Sequence, residues 1–167
     1  VIKAELQDIL LDEEFPVPAP FEDTSGVLEA VQLLKEAERP MLLVGGGAMW
    51  SNATPEVLKL AEMLMAPVAT TMMGKGIIPE THPLSMGMLG MHGREIARRS
   101  FLECDVMVAI GARFSDRSSG LPSELPETTK IIHIDIDPME AGKNSRTRVR
   151  IVADAKKSLQ LIIKGLG

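Results

Sequence analysis

The chain has 167 residues, 45% hydrophobic and 25% charged, a composition that fits one globular domain with a substantial apolar core and excludes a disordered segment. Its net charge of −5 excludes a general electrostatic attraction to nucleic acid or to an anionic membrane surface. One cysteine, Cys104, excludes an internal disulfide and any multi-cysteine zinc site.

Residues 1–24 are acidic and proline-punctuated, and read as a linker or N-terminal arm ahead of a domain over 25–167. From Ser25 the pattern changes. Val27, Leu28, Val31 and Leu34 recur at helical spacing, with Thr24 or Ser25 available as N-cap. A short apolar strand, Met41 to Val44, then runs into three glycines. Thr54 as N-cap and Pro55 at the first helical position mark the next helix. Residues 67–71 read as a strand, 72–92 as a long loop, and REIARRSFLEC as a helix. Further strands are expected over 106–112, 130–137 and 149–154, and AKKSLQLIIKGL closes the chain as an amphipathic helix.

Strands alternating with helices imply βαβ units on a buried parallel sheet, and the strands are continuous apolar runs. The expected class is α/β, a doubly wound, Rossmann-like sheet of about five to six strands. No apolar run approaches the roughly 20 residues of a membrane span, and no signal-peptide pattern opens the chain. A cytoplasmic location is therefore expected. Val1 in place of an initiator methionine fits a piece of a longer polypeptide.

Ligands of such sheets bind beyond the carboxyl ends of the strands. Polar and glycine residues gather there: Gly45, Gly46 and Gly47; Thr71, Met72, Gly74, Lys75 and Gly76; Gly111, Ala112, Arg113 and Asp116; Asp135 and Asp137; and Asp154. The glycines serve either tight turns or close approach of a ligand to backbone. GGGAMW is not the dinucleotide fingerprint, because Trp50 holds the third glycine position and puts close strand–helix packing in doubt. HIDID places His133, Asp135 and Asp137 on one face. For these, ribose contact by Asp135 ranks ahead of loop capping by Asp137, and both rank ahead of a metal site. In GARFSDR, Arg113 suits a pyrophosphate or an electron-rich ring, and Asp116 with Arg117 suits either bracing or binding. GMLGMHG permits close approach at Gly87, Gly90 and Gly93, with Met91 able to lie on a flat ring and His92 to offer one hydrogen bond. Met86 and Met88 read as core. No nucleophile–base pair, G-x-S-x-G or P-loop pattern is present, so catalytic residues are expected to be absent.

RPMLLVGGG, MGKG, GMLGMHG, GARF-x-DR and HIDIDP, in that order between about Ser25 and Leu166, resemble the central domain of the acetohydroxyacid (acetolactate) synthase family. That resemblance implies a thiamine-diphosphate transferase that condenses pyruvate with a second 2-ketoacid in branched-chain amino-acid biosynthesis. Thiamine diphosphate and Mg²⁺ then belong to first and third domains outside this chain, which by itself is expected to be inactive. It implies FAD in this domain, held by Gly45, Gly46, Gly47, Thr71, Met72, Leu89, Gly90, Met91, His92, Gly111, Ala112, Arg113, Arg117, Asp135, Ile136, Asp154 and Ala155. It also implies Lys75, Met91, His92 and Asp116 near the substrate channel or subunit interface. Expected partners are FAD or another adenine nucleotide, the enzyme's own first and third domains, a dimer mate and a regulatory subunit, with no nucleic acid or membrane. Ser115 departs from the family's acidic residue and Ser118 from its apolar one. A free-standing nucleotide-binding or interaction subunit on the same fold stands as the alternative, and an NAD-consuming enzyme on a related scaffold as a third.

Overall fold

A computed structural model describes residues 22–115 and 124–167. Its elements run in the order α1 (Val27–Glu36), β1 (Pro40–Val44), α2 (Gly46–Trp50), α3 (Thr54–Leu64), β2 (Val68–Thr70), a 3₁₀ turn (Met72–Gly74), β3 (Ser85–Met88), α4 (Glu95–Glu103), β4 (Val106–Ile110), β5 (Lys130–Asp135), β6 (Thr147–Val152) and α5 (Ala155–Leu166). All pairings within the sheet are parallel, and the strand order is β3-β2-β1-β4-β5-β6. The chain winds outward from β1 to β3, returns to the other side of β1, and winds outward again. The switch point lies between β1 and β4, where connections leave in opposite directions and open a crevice.

Alternation along the strands builds two cores, one on each face of the sheet. Leu42, Val44, Val108, Ile110, Ile132 and Ile134 face one side and pack with α1, α3 and α5. Met41, Leu43, Ala69, Met107, Ala109 and Ile131 face the other, against Ala97 and Phe101 of α4 and against Phe114. Burying each large side chain of this kind contributes about 1.5–3 kcal/mol over leaving it in water. Asp105 ties the strand entrances together. Its carboxylate accepts the backbone N–H groups of Glu38 and Arg39 at 2.8 and 2.9 Å, across the sheet from β4 to β1. Burial opposes ionisation of Asp105, but these donors outweigh it and hold the carboxyl below its ordinary range. Cys104 is buried, and burial, helped by the Asp105 charge, pushes its thiol up to about 12.

Several expectations are corrected. Ser85–Met88, inside the stretch read as loop, is a strand at the sheet edge. The glycines after β1 enter a five-residue helix, α2, rather than a turn. Gly26 occupies the cap of α1 and no side chain caps it, and Ala53 rather than Thr54 precedes α3. The strands are also shorter at their carboxyl ends than the apolar runs suggest, ending at Thr70, Ile110, Asp135 and Val152. Asp23 pairs with Val152 in an isolated antiparallel bridge, with N–H···O contacts of 2.7 and 2.9 Å.

A candidate ligand cleft at the switch point

The floor of the crevice is made by glycine backbone. Gly45 N–H donates to the Ile110 carbonyl at 2.9 Å, Gly47 N–H to the Gly111 carbonyl at 3.1 Å, and Gly111 N–H to the Ile134 carbonyl at 2.8 Å. Here the glycines are required by their neighbours. A Cβ on Gly45 would stand 2.1 Å from the Gly111 oxygen, and one on Gly111 would stand 2.5 Å from the Gly47 Cα. Gly111 also sits at φ +56, in the left-handed region. The close packing that Trp50 put in doubt is thus reached through Gly45, Gly47 and the buried Ala48.

Above this floor lie two adjoining hollows. One, of about 330 Å³, is bounded by Gly46, Gly47, Thr71, Met72, Ala112 and Arg113, among others. The second, of about 320 Å³, is bounded by Ser51, Ile134, Ile136, Asp154 and Ala155. Gly47, Trp50, Gly111 and Asp135 line both. Trp50, the only tryptophan, is 83% exposed at this seam. The first hollow joins a guanidinium, the Thr71 hydroxyl and Gly46–Gly47 backbone with two exposed methionines, Met72 and Met73. The second joins two carboxylates with apolar side chains. Such a pair of chambers accommodates an elongated ligand with an anionic middle and flat or hydroxyl-bearing ends.

Local bonding fixes the walls. Thr71 Oγ1 accepts the Gly74 N–H at 3.3 Å, shaping the 3₁₀ turn. Ser51 Oγ accepts the Lys156 N–H at 2.8 Å and joins α2 to the start of α5. Asp154 caps α5 by accepting the Lys157 N–H at 3.0 Å. Asp137 caps the next turn, accepting the Met139 N–H at 2.8 Å while its own N–H donates to Asp135 Oδ1 at 3.0 Å. Phe114 is buried at φ +48, unusual for a bulky residue, and carries Arg113 and Ser115 to the cleft mouth. Its ring meets the His133 imidazole edge-on, with centroids 5.2 Å apart.

His133 is fully buried, facing Phe114 and the second core. The Gly142 N–H donates to Nδ1 at 3.0 Å, and Nε2 is buried without a hydrogen bond, 4.0 Å from Asp135 Oδ2. Burial pushes the imidazole below its ordinary value, against the opposite pull of Asp135, the Ala112 carbonyl and Glu140. Among the described residues no group of three or more His, Cys, Asp or Glu is arranged to hold a metal ion.

Of the expected site residues, Gly46, Gly47, Thr71, Met72, Gly111, Ala112, Arg113, Asp135, Ile136, Asp154 and Ala155 border the two hollows, with Gly45 locked beneath them. Leu89 is buried in the second core, and Gly90, Met91 and His92 lie past the end of β3 without lining either hollow. Lys75 pairs with Glu80 at 3.1 Å on the surface. Asp116, Arg117 and Ser118 lie outside the described residues. Trp50, Ser51, Met73, Ser115 and Ile134 were not expected among the lining residues. The signal available for Trp50 was its place one helical turn after Gly46, on the connection that leaves β1.

Residues 27–162 match the profile of the thiamine pyrophosphate enzyme central domain. The chain belongs to that family. It is 46% identical to a probable acetolactate synthase large subunit of Methanocaldococcus jannaschii, an alignment covering 97% of this chain and 29% of that protein. It is 51% identical to a probable acetolactate synthase large subunit of Methanococcus aeolicus over 84% of this chain and 23% of the relative. An acetolactate synthase of Arthrospira platensis is 47% identical over 78% of this chain and 23% of its own length. The chain therefore spans between a fifth and a third of the relatives it matches. No helix among the described residues is long and apolar enough to cross a membrane.

Proposed function

We propose that this chain is the central domain of an acetolactate synthase large subunit and that its double cleft binds FAD or a related adenine dinucleotide. The observation that carries this reading is the meeting of two hollows at Trp50 and Asp135, above the switch point of the sheet. Arg113 and the Gly46–Gly47 backbone suit a diphosphate, Asp135 suits ribose hydroxyls, and Trp50, Met72 and Ile136 offer apolar surface to flat rings. The residues present thus fit an adenine dinucleotide, whose part here is to fill and brace the cleft.

In the whole enzyme, pyruvate would be condensed with a second 2-ketoacid in branched-chain amino-acid biosynthesis. Thiamine diphosphate with Mg²⁺ would supply activation of the ketoacid, from outside the described residues of this chain. This domain's own residues bind, orient and exclude water, and none is assigned a catalytic step. The exposed Met72, Met73 and Met91 suit a face covered by the enzyme's other domains or by a dimer mate.

Flavin fluorescence titration of the purified chain tests the proposal. Stoichiometric quenching that weakens about tenfold or more in Arg113→Ala is the expected result, since a charge-assisted hydrogen bond contributes about 1.5–3 kcal/mol. Absence of quenching at high micromolar FAD overturns the claim that this chain holds the dinucleotide.

A further inference from the structure

We propose that His133 is a positioning residue for Asp135, and that the two together form a hydroxyl-recognising pair in the cleft, suited to the vicinal diol of a ribose. The inference rests on the nucleotide reading of the cleft and adds a residue that lies wholly outside its lining.

The tautomer of His133 follows from geometry. Nδ1 accepts the Gly142 N–H at 3.0 Å, so it carries no proton, and the neutral ring keeps its hydrogen on Nε2. That single N–H is buried, makes no hydrogen bond of ordinary geometry, and faces Asp135 Oδ2 at 4.0 Å with the Ala112 carbonyl as the other acceptor acting on the ring. The gap is about 1 Å longer than an ordinary N–H···O bond. Phe114, edge-on at 5.2 Å and 87°, restrains the ring. Across the pair, Asp135 Oδ1 is already engaged by the Asp137 N–H at 3.0 Å. Its other oxygen is left between the imidazole and the cleft.

A buried donor without a good acceptor is costly, and that cost disappears once the contact closes. Movement of the carboxylate by about 1 Å brings Oδ2 within reach of Nε2–H. A ligand hydroxyl donating to Asp135 would then bind to a carboxylate oriented from both sides. The groups acting on the imidazole, Asp135, Glu140 and the Ala112 carbonyl, all favour a donor there, while burial keeps the ring neutral. His133 also links the ligand to the 137–145 turn, because the same ring holds Gly142.

Two variants separate positioning from packing. In His133→Asn the amide oxygen replaces Nδ1 and can still accept from Gly142, but nothing reaches Asp135. In His133→Gln the amide NH₂ takes the place of Nε2–H and faces Asp135. Calorimetric titration with ADP and with 2′,3′-dideoxy-ADP is the measurement. Expected are a wild-type preference for ADP, near-wild-type ADP affinity in the Gln variant, and a loss of about tenfold in the Asn variant. Dideoxy-ADP should bind all three proteins alike. Equal ADP losses in the Asn and Gln variants, or equal losses for both nucleotides, overturn the positioning role. Equal binding of both nucleotides by the wild type also overturns it and leaves the nucleotide reading standing. Failure of both nucleotides to bind at millimolar concentration overturns both readings.

Should a variant not fold, the wild-type protein still decides the question through the imidazole Nε2–H proton resonance. Addition of ADP should move it downfield, and dideoxy-ADP should leave it in place. An ADP-saturated protein whose resonance does not move overturns the proposal.

Discussion

The two glycine-rich stretches, 45–47 just after β1 and 87–93 from within β3 onward, lie at the carboxyl ends of parallel strands, yet they meet different surroundings. Gly45 and Gly47 abut Gly111 backbone, where a Cβ would stand 2.1 to 2.7 Å from main-chain atoms. Gly87, at φ +80, faces the Arg94 side chain, Gly93 packs only on its own loop, where a Cβ would stand 2.6 Å from the Met88 oxygen, and Met91 at the tip is 69% exposed. The difference comes from strand position. β1 stands beside β4 in the middle of the sheet, so its outgoing chain must cross another strand's end. β3 is an edge strand, and its outgoing chain crosses nothing. Glycine content alone therefore does not mark a ligand surface; the identity of the adjacent strand does.

The strongest way to break this contrast is substitution of Gly45 by Ala. Overlap with fixed backbone should cost about 3 kcal/mol, read as a lower urea midpoint. A loss below 1 kcal/mol would mean that the crossing is not locked. Next is Asp105→Ala, which leaves two β1-side N–H groups without their acceptor and should cost about 2 kcal/mol at neutral pH. Because the native carboxyl is held low, its contribution is present above the ordinary carboxylate value and is lost as pH falls through the native one. The deficit of the variant should shrink in acid accordingly.

His133 gives a profile of the same sign in a milder range, again losing stability on acidification. Its native pKa lies below the unfolded value, so stability is full above about pH 6.5 and falls as pH drops toward the native pKa. The slope should not exceed about 1.4 kcal/mol per pH unit, and His133→Gln should flatten it. Gly87→Ala should cost about 1 kcal/mol, the penalty of a left-handed residue whose flexible neighbour can move aside. The smallest stability effects, within about 0.5 kcal/mol, belong to Trp50→Ala and Met91→Ala at exposed positions. They should part in FAD titration, with only the tryptophan variant weakened. Equal weakening would bring the second stretch into the site.

The sequence made β1 and β4 legible because each is a continuous apolar run buried on both faces, and β5 because Ile131, Ile132 and Ile134 are β-branched and buried around His133. It did not reveal β3, since SMGM is short, carries a glycine, and pairs with β2 alone at the edge. Helix α2 was hidden for a related reason. Three glycines disfavour a helix, and this one is held by the contact of Gly47 with Gly111 rather than by periodicity. The strand-end rule picked out Arg113, Asp135 and Asp154 for the cleft from position alone. It passed over Trp50, Ser51 and Met73, whose places depend on α2 and on the 3₁₀ turn. It was also silent on the His133–Asp135 gap, which depends on Gly142, nine residues further along the chain.

The glycine lock has a consequence for how the cleft opens. The amides of Gly45, Gly47 and Gly111 are bonded to the central strands or to one another, so the floor has no independent unfolding unit of its own. Their hydrogen exchange should follow that of β1 and β4 rather than that of a surface loop. A ligand seated there stabilises the entire domain by mass action, so binding should slow exchange at β1 and β4 as well as at the cleft floor.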